Sequence, residues 1–214
     1  MPACPLCGAH ETRVWAHALG AVYYRCAICR LTFLDPACWP SPDDERARYR
    51  EHDNHPGHRG YRRFLTKLAA PVDARLPRGA DGLDFGCGPG PTLSVLLRER
   101  GHRVADYDPF FVPDDGLLTR QYTVVTCSEV FEHLHHPART LDRLHGLVAP
   151  GGILALMTEP VDDTRDFAAW PYLRDRTHVC FAHPDTFAWI ARRWGWWLER
   201  PRWTVALFRK PASV

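Results

Sequence analysis

The sequence predicts an α/β protein in which a largely parallel sheet is covered by helices and preceded by a small cysteine-built appendage. Three observations lead there. From about residue 80 to the C-terminus, apolar strand-like runs alternate with helical patterns, the order that builds parallel sheets covered on both faces. One of those runs ends in Asp84 and enters glycines at alternate positions, Gly86, Gly88 and Gly90, directly before a helical stretch. Two C-x2-C pairs, Cys4/Cys7 and Cys26/Cys29, lie 18 residues apart near the start of the chain.

The chain of 214 residues has room for one medium domain and a small addition. With 45% hydrophobic and 24% charged residues its composition is that of an ordinary globular protein. A net charge of +2 gives no electrostatic drive toward nucleic acid or membrane. No apolar run approaches the roughly 20 residues of a membrane span. The opening MPACPLCG lacks the basic-then-apolar order of a secretory leader. A cytoplasmic location is therefore the expectation. There, eight cysteines read as metal ligands and small buried residues rather than disulfides.

The spacing of the two cysteine pairs suits a four-cysteine structural zinc site. Short β-like runs at 12–17, 21–25 and 30–34 complete the pattern of a zinc ribbon over residues 1–36. So short a segment buries little core, so Zn²⁺ would supply the stability. Cys38 falls outside the ligand set. Residues 37–79 read as a linker and helical cap: three prolines between Asp35 and Pro42, a charged helical segment at 43–52, then a helix over 57–76. Tyr61, Phe64, Leu65 and Leu68 give that helix one apolar face, and Pro71 should break or kink it. Arg59, Arg62, Arg63 and Lys67 along it read as a solvated basic face.

Residues 80–214 form the core. Strands are expected at 82–85, 102–107, 122–127 and 153–158, helices at 92–100, 137–148 and 184–193, and a closing antiparallel hairpin at 196–199 and 203–209. Pro150-Gly151-Gly152 makes the turn into the 153–158 strand. Some 24 residues between that strand and the last helix, rich in Trp, Asp and Arg, are long for a plain connection and read as a substrate-facing lid.

The G-x-G-x-G spacing differs from the G-x-G-x-x-G of dinucleotide-binding proteins and points away from NAD. With an acidic residue, Asp108, ending the next apolar run, the stretch LDFGCGPG at 83–90 resembles motif I of the class I S-adenosylmethionine-dependent methyltransferases. The likeness covers roughly residues 57–210 and implies a Rossmann-like core with S-adenosylmethionine as cofactor. It also implies a cofactor site built from Asp84, Gly86, Cys87, Gly88, Gly90, Asp108, Pro109, Ser128 and Glu129. In that family the glycine loop packs against methionine and ribose, and Asp108 would accept hydrogen bonds from the ribose hydroxyls. Asp84 would order the loop or hold the amino group. A basic residue of the cap helix would lie near the methionine carboxylate. The sequence departs from the pattern after Asp108, where only 15 residues precede Val124. A normal core places a helix, a strand and an adenine-contacting acid there, so the sheet is expected to be shortened and the adenine contact is unassigned.

Glu129-x-x-Glu132-His133 is the second informative run. On a helix, its spacing would put the three side chains on one face, a donor set for Mg²⁺ or another divalent cation. The run is similar to the E-x-x-E-H of the ubiquinone-pathway O-methyltransferases and of the small-RNA 3′-terminal 2′-O-methyltransferases. In the latter a later histidine completes the site, a place that His178 would take here. Without a cation, His133 or His178 would act as general base. The expected catalytic group is thus Glu129, Glu132, His133 and His178. Phe167, Trp170 and Tyr172 in the lid would face a planar or apolar small-molecule acceptor bearing a hydroxyl. RNA as acceptor and a non-catalytic binding module are the alternatives.

Overall fold

The computed structural model describes residues 1–51 and 54–212. Its centre is a six-stranded sheet in the order β5-β4-β6-β7-β10-β9, with β4 at Asp81–Phe85, β5 at Arg103–Tyr107, β6 at Tyr122–Ser128, β7 at Val148–Met157, β9 at Trp197–Arg202 and β10 at Val205–Arg209. The first four strands run parallel, and the hairpin of β9 and β10 adds antiparallel to β7. β7 begins five residues before the expected strand, taking in the Pro150-Gly151-Gly152 turn. Between β5 and β6 the chain makes only a short 3-10 helix, Asp115–Thr119, and no strand lies beyond β5 among the described residues. The sheet is shortened where the sequence lacks chain to build more.

Side chains alternate along the strands with period two and so feed two cores. Val124, Ile153, Ala155, Met157 and Leu207 face helices α2 (Arg59–Asp73) and α3 (Thr92–Arg98). Val125, Leu154, Leu156 and Phe208 face α4 (Pro137–Leu147) and α5 (Pro184–Trp194). Helix α2 runs on through Pro71 to Asp73: the proline stands in the last turn, and α2 buries Leu65, Leu68, Ala69 and Val72. The charged segment before it is α1 (Pro42–Arg50), which starts at a Ser41–Asp44 capping box; His52, expected to extend it, lies outside the described residues.

The N-terminal strands β1 (Thr12–Ala18), β2 (Ala21–Cys26) and β3 (Thr32–Leu34) form an antiparallel sheet, to which β8 (Cys180–Phe181) from the long loop adds a fourth strand. Cys4, Leu6, Cys26, Cys29, Leu31 and Phe33 share one apolar cluster with Phe187 and Ile190 of α5. Arg25 and Arg30 both bond Asp163 at 2.5 Å, and Thr186 Oγ1 donates to the Cys29 carbonyl at 2.8 Å. The cysteine-bearing segment is thereby fixed to the core through packing, pairing and charge. No helix among the described residues is long and apolar enough to cross a membrane.

Candidate active site

The parallel strands end at one edge of the sheet, and because β5 and β6 lie on opposite sides of β4, their loops diverge there. Ligands bind in such crevices in open α/β sheets. A cavity of about 610 Å³ occupies it. Every residue assigned to the cofactor from the sequence lines it: Asp84, Gly86, Cys87, Gly88, Gly90, Asp108, Pro109, Ser128 and Glu129.

The glycine loop is set by its neighbours. Gly86 and Gly88 have φ of +77° and +66°, the left-handed region that disfavours side chains. A Cβ on Gly86 would strike the methyls of Val130, and one on Gly90 would stand 2.5 Å from the Asn54 carbonyl oxygen. Thr92 Oγ1 donates to that same carbonyl at 2.6 Å, tying the cap segment to the loop. Asp108 accepts from Gly88 N–H at 2.9 Å through one oxygen and from Phe110 and Phe111 N–H at 2.8 and 3.1 Å through the other. Its carboxylate thus joins the glycine loop to the loop after β5, an ordering role. Asp84 is buried, accepts from Thr126 Oγ1 at 2.7 Å, and is pushed up to about 7 by that burial. Ser128 Oγ is buried without a hydrogen-bond partner, a spare polar atom for a ligand.

The E-x-x-E-H run reaches its geometry without a helix face. Glu129 takes φ of +52°, and Phe131–His133 make a single 3-10 turn. One ligand atom each of Glu132, His133 and His178 nonetheless lies within 4.8 Å of the others. His133 and His178 line the cavity beside Glu129, while Glu132 is fully buried behind them. Each histidine has its Nδ1 on a backbone carbonyl, His133 on Thr177 at 3.1 Å and His178 on Tyr172 at 2.7 Å. Nδ1 must carry the proton in each, leaving Nε2 as the lone-pair nitrogen. Burial holds His133 down at about 4, so its imidazole is neutral near pH 7. Glu129 is pushed well above the usual carboxylate range, first by burial and then by the Glu132 charge. Glu132 Oε2 has no hydrogen-bond partner, an orphaned acceptor in a buried site. Two lone-pair nitrogens, a carboxylate with an unused oxygen and Glu129 alongside fit a divalent cation.

Several expectations for the lid and cap need correction. Phe167 and Trp170 do not face the cavity; they are buried with Tyr23, Leu173 and Phe181 against the N-terminal sheet. Tyr172 is spent on the acidic pair: its hydroxyl donates to Glu132 and reaches Glu129 at 3.4 Å. The aromatic wall comes instead from the cap, as Tyr49 of α1 and Tyr61 and Phe64 of α2, with Phe110 after β5. Sequence periodicity could not reveal this, since a core-facing and a cavity-facing aromatic look alike at helical spacing. Nor do the basic residues of α2 line the cavity; Arg62 pairs with Glu99 at 2.5 Å.

At the other end of the molecule, Cys4, Cys7, Cys26 and Cys29 bring their sulfurs within 4.8 Å of one another, and none forms a disulfide. Zinc at about 2.3 Å from four thiolates requires sulfurs about 3.8 Å apart. The observed pairs, Cys4–Cys29 at 3.5 Å and Cys7–Cys26 at 3.4 Å, fit it.

Residues 47–199 match the family described as methyltransferase domain. Among curated proteins, the ubiquinone biosynthesis O-methyltransferase of Acinetobacter baylyi is 35% identical over 78 residues, 35% of this chain and 33% of that protein. The Pseudomonas aeruginosa protein of the same name is 32% identical over 104 residues, 37% of this chain and 44% of its own length. The chain thus spans less than half of the relatives it matches. Among solved structures, an O-methyltransferase family protein from Burkholderia thailandensis superposes with a TM-score of 0.56 at 17% identity, over 73% of this chain and 57% of that one. The 1,6-didemethyltoxoflavin-N1-methyltransferase of the same organism, solved with 1,6-didemethyltoxoflavin and S-adenosylhomocysteine, gives 0.55 at 16% identity, over 93% and 99%. At such identities these structures share the fold.

Proposed function

The chain belongs to the methyltransferase-domain family and is an S-adenosylmethionine-dependent enzyme, and from that premise we propose that it methylates a hydroxyl of a small uncharged molecule, assisted by a divalent cation. The observation that carries this reading is the convergence of Glu132, His133 and His178, each histidine with Nε2 bare, on the cavity edge next to Glu129. Glu129, Glu132, His133 and His178 would hold Mg²⁺ or Mn²⁺, which would supply Lewis acidity toward an acceptor oxygen. The bound cofactor supplies an electrophilic methyl group on a sulfonium. The glycine loop, Asp84, Asp108 and Ser128 would bind and orient that cofactor; only with no cation on the histidines would His133 or His178 take the acceptor proton through Nε2. Residues 1–36 act as a structural zinc ribbon on Cys4, Cys7, Cys26 and Cys29, 37–79 as the cap, and 80–214 as the catalytic core.

Charge supports a neutral small acceptor over RNA. Among the described residues the cavity is lined by the carboxyls of Glu45, Asp84, Asp108, Glu129 and Asp175 and by no Lys or Arg. A phosphate-bearing chain needs the opposite. The hydroxyl acceptor draws further support from the short matches to ubiquinone O-methyltransferases. The family assignment does not favour the non-catalytic alternative.

Methyl-labelled cofactor incubated with the protein, Mn²⁺ and separated small-molecule and RNA extracts tests the reading. Label in an alkali-stable ether of the small-molecule fraction, lost with EDTA, is expected. Label in RNA, or transfer unaffected by EDTA, would contradict it.

A further inference from the structure

Asp175 sits in the long loop three residues before His178 and lines the cavity. Its two carboxylate oxygens serve different parts of the molecule. Oδ1 accepts from Thr177 N–H at 3.0 Å and from Thr177 Oγ1 at 2.6 Å. The Thr177 carbonyl is the group that accepts the hydrogen bond from His133 Nδ1–H. Oδ2 accepts from the Arg48 guanidinium, Nε at 3.0 Å, and pairs with its Nη2 at 2.9 Å, a charge-assisted grip on helix α1. The backbone carbonyl of Asp175 also receives His178 N–H at 3.1 Å. Helix α1 covers the cavity through Glu45 and Tyr49, and the Tyr49 ring stands 5.1 Å from that of His133.

We propose that Asp175 is a positioning residue with two arms: through Thr177 it fixes the tautomer of His133, and through Arg48 it latches the cap helix over the cavity. One carboxylate then couples covering of the cavity to orientation of the histidine that faces it. The first arm works because a carbonyl held in place accepts the Nδ1 proton and so keeps Nε2 bare toward the cavity. The second works because α1 has little apolar anchorage of its own, the acidic Glu45 being its one buried residue. This rests on the reading of the cavity as the S-adenosylmethionine site.

The two arms separate under substitution. Asp175→Asn keeps an oxygen for Thr177 but turns an amide donor toward Arg48; Asp175→Ala removes both arms; Arg48→Ala removes the second alone. Nitrogen-15 correlation spectra of the histidines in the cation-free full-length protein report the tautomer, and stopped-flow displacement of S-adenosylhomocysteine reports the latch. His133 should stay a single Nδ1–H tautomer in wild type, Asp175→Asn and Arg48→Ala, and become a mixture in Asp175→Ala. S-adenosylhomocysteine should dissociate about tenfold faster from all three variants. A single unchanged tautomer in Asp175→Ala would overturn the first arm. Wild-type dissociation rates in both Asp175→Asn and Arg48→Ala would overturn the second. Failure of wild-type protein to bind S-adenosylhomocysteine would instead overturn the cavity reading, and the tautomer measurement would still decide the first arm.

Discussion

The hydroxyl of Tyr172 donates to the carboxylate of Glu132, a fully buried acid whose other oxygen has no hydrogen-bond partner. That hydroxyl also reaches Glu129 at 3.4 Å, and the ring lies 4.1 Å from the ring of His178. Tyr172 therefore touches three of the four groups that would hold a cation. Tyr172→Phe should cost about 1–3 kcal/mol in EDTA, because it leaves both Glu132 oxygens unsatisfied. Added Mn²⁺ should recover most of that loss. Thermal melts with and without the cation check this, and equal melting temperatures for the two proteins in EDTA would argue against it.

Asp84 should make stability depend on pH in a defined direction. Its folded carboxyl sits at about 7, against an ordinary 3.8. Between those values the folded chain holds more protons than the unfolded one, so this contribution is complete below about 3.8 and is lost as pH rises through 7. Asp84→Asn should then be more stable than wild type at pH 8, by about 1 kcal/mol or more, and should lose that advantage near pH 4. Its affinity for S-adenosylhomocysteine should fall. Urea titrations at the two pH values, with calorimetry, test both halves.

Gly86→Val should lower stability by at least about 1–2 kcal/mol, since φ of +77° is hostile to a branched side chain. The collision is with Val130, so the loop itself must shift. Loss of cofactor binding follows from that shift and not from filling the cavity. A Gly86→Val, Val130→Ala double variant should regain part of the stability in thermal melts.

The sequence made the core legible because strand, glycine turn and helix each carry their own local signal. The missing chain after Asp108 was equally plain, as no strand can form from residues that are not there. What escaped was everything fixed by contacts distant in sequence. The cysteine segment reads as separable, yet Thr32 and Phe33 pair with Phe181 and Cys180 of a loop some 150 residues away. Spacing suggested a helix for Glu129 to His133, but the left-handed Glu129 and a 3-10 turn deliver the side chains instead. Phe167 and Trp170 looked like acceptor contacts because nothing local says that the N-terminal sheet will cover them.

The sulfur cluster should hold one zinc per chain. Cys26→Ser should lose it and lower the melting temperature of the whole protein, because the cluster shares its apolar surroundings with α5. Elemental analysis beside thermal melts measures this; full zinc content in the variant would remove the ribbon.

Isothermal calorimetry with S-adenosylhomocysteine, on wild type and Asp108→Ala, tests the central claim most directly. One molecule should bind per wild-type chain. Removing a carboxylate that orders the glycine loop and faces the cavity should weaken binding by about 1.5–3 kcal/mol, roughly ten- to a hundredfold. No binding to wild type, or identical affinity for the two proteins, would contradict the assignment of this cavity.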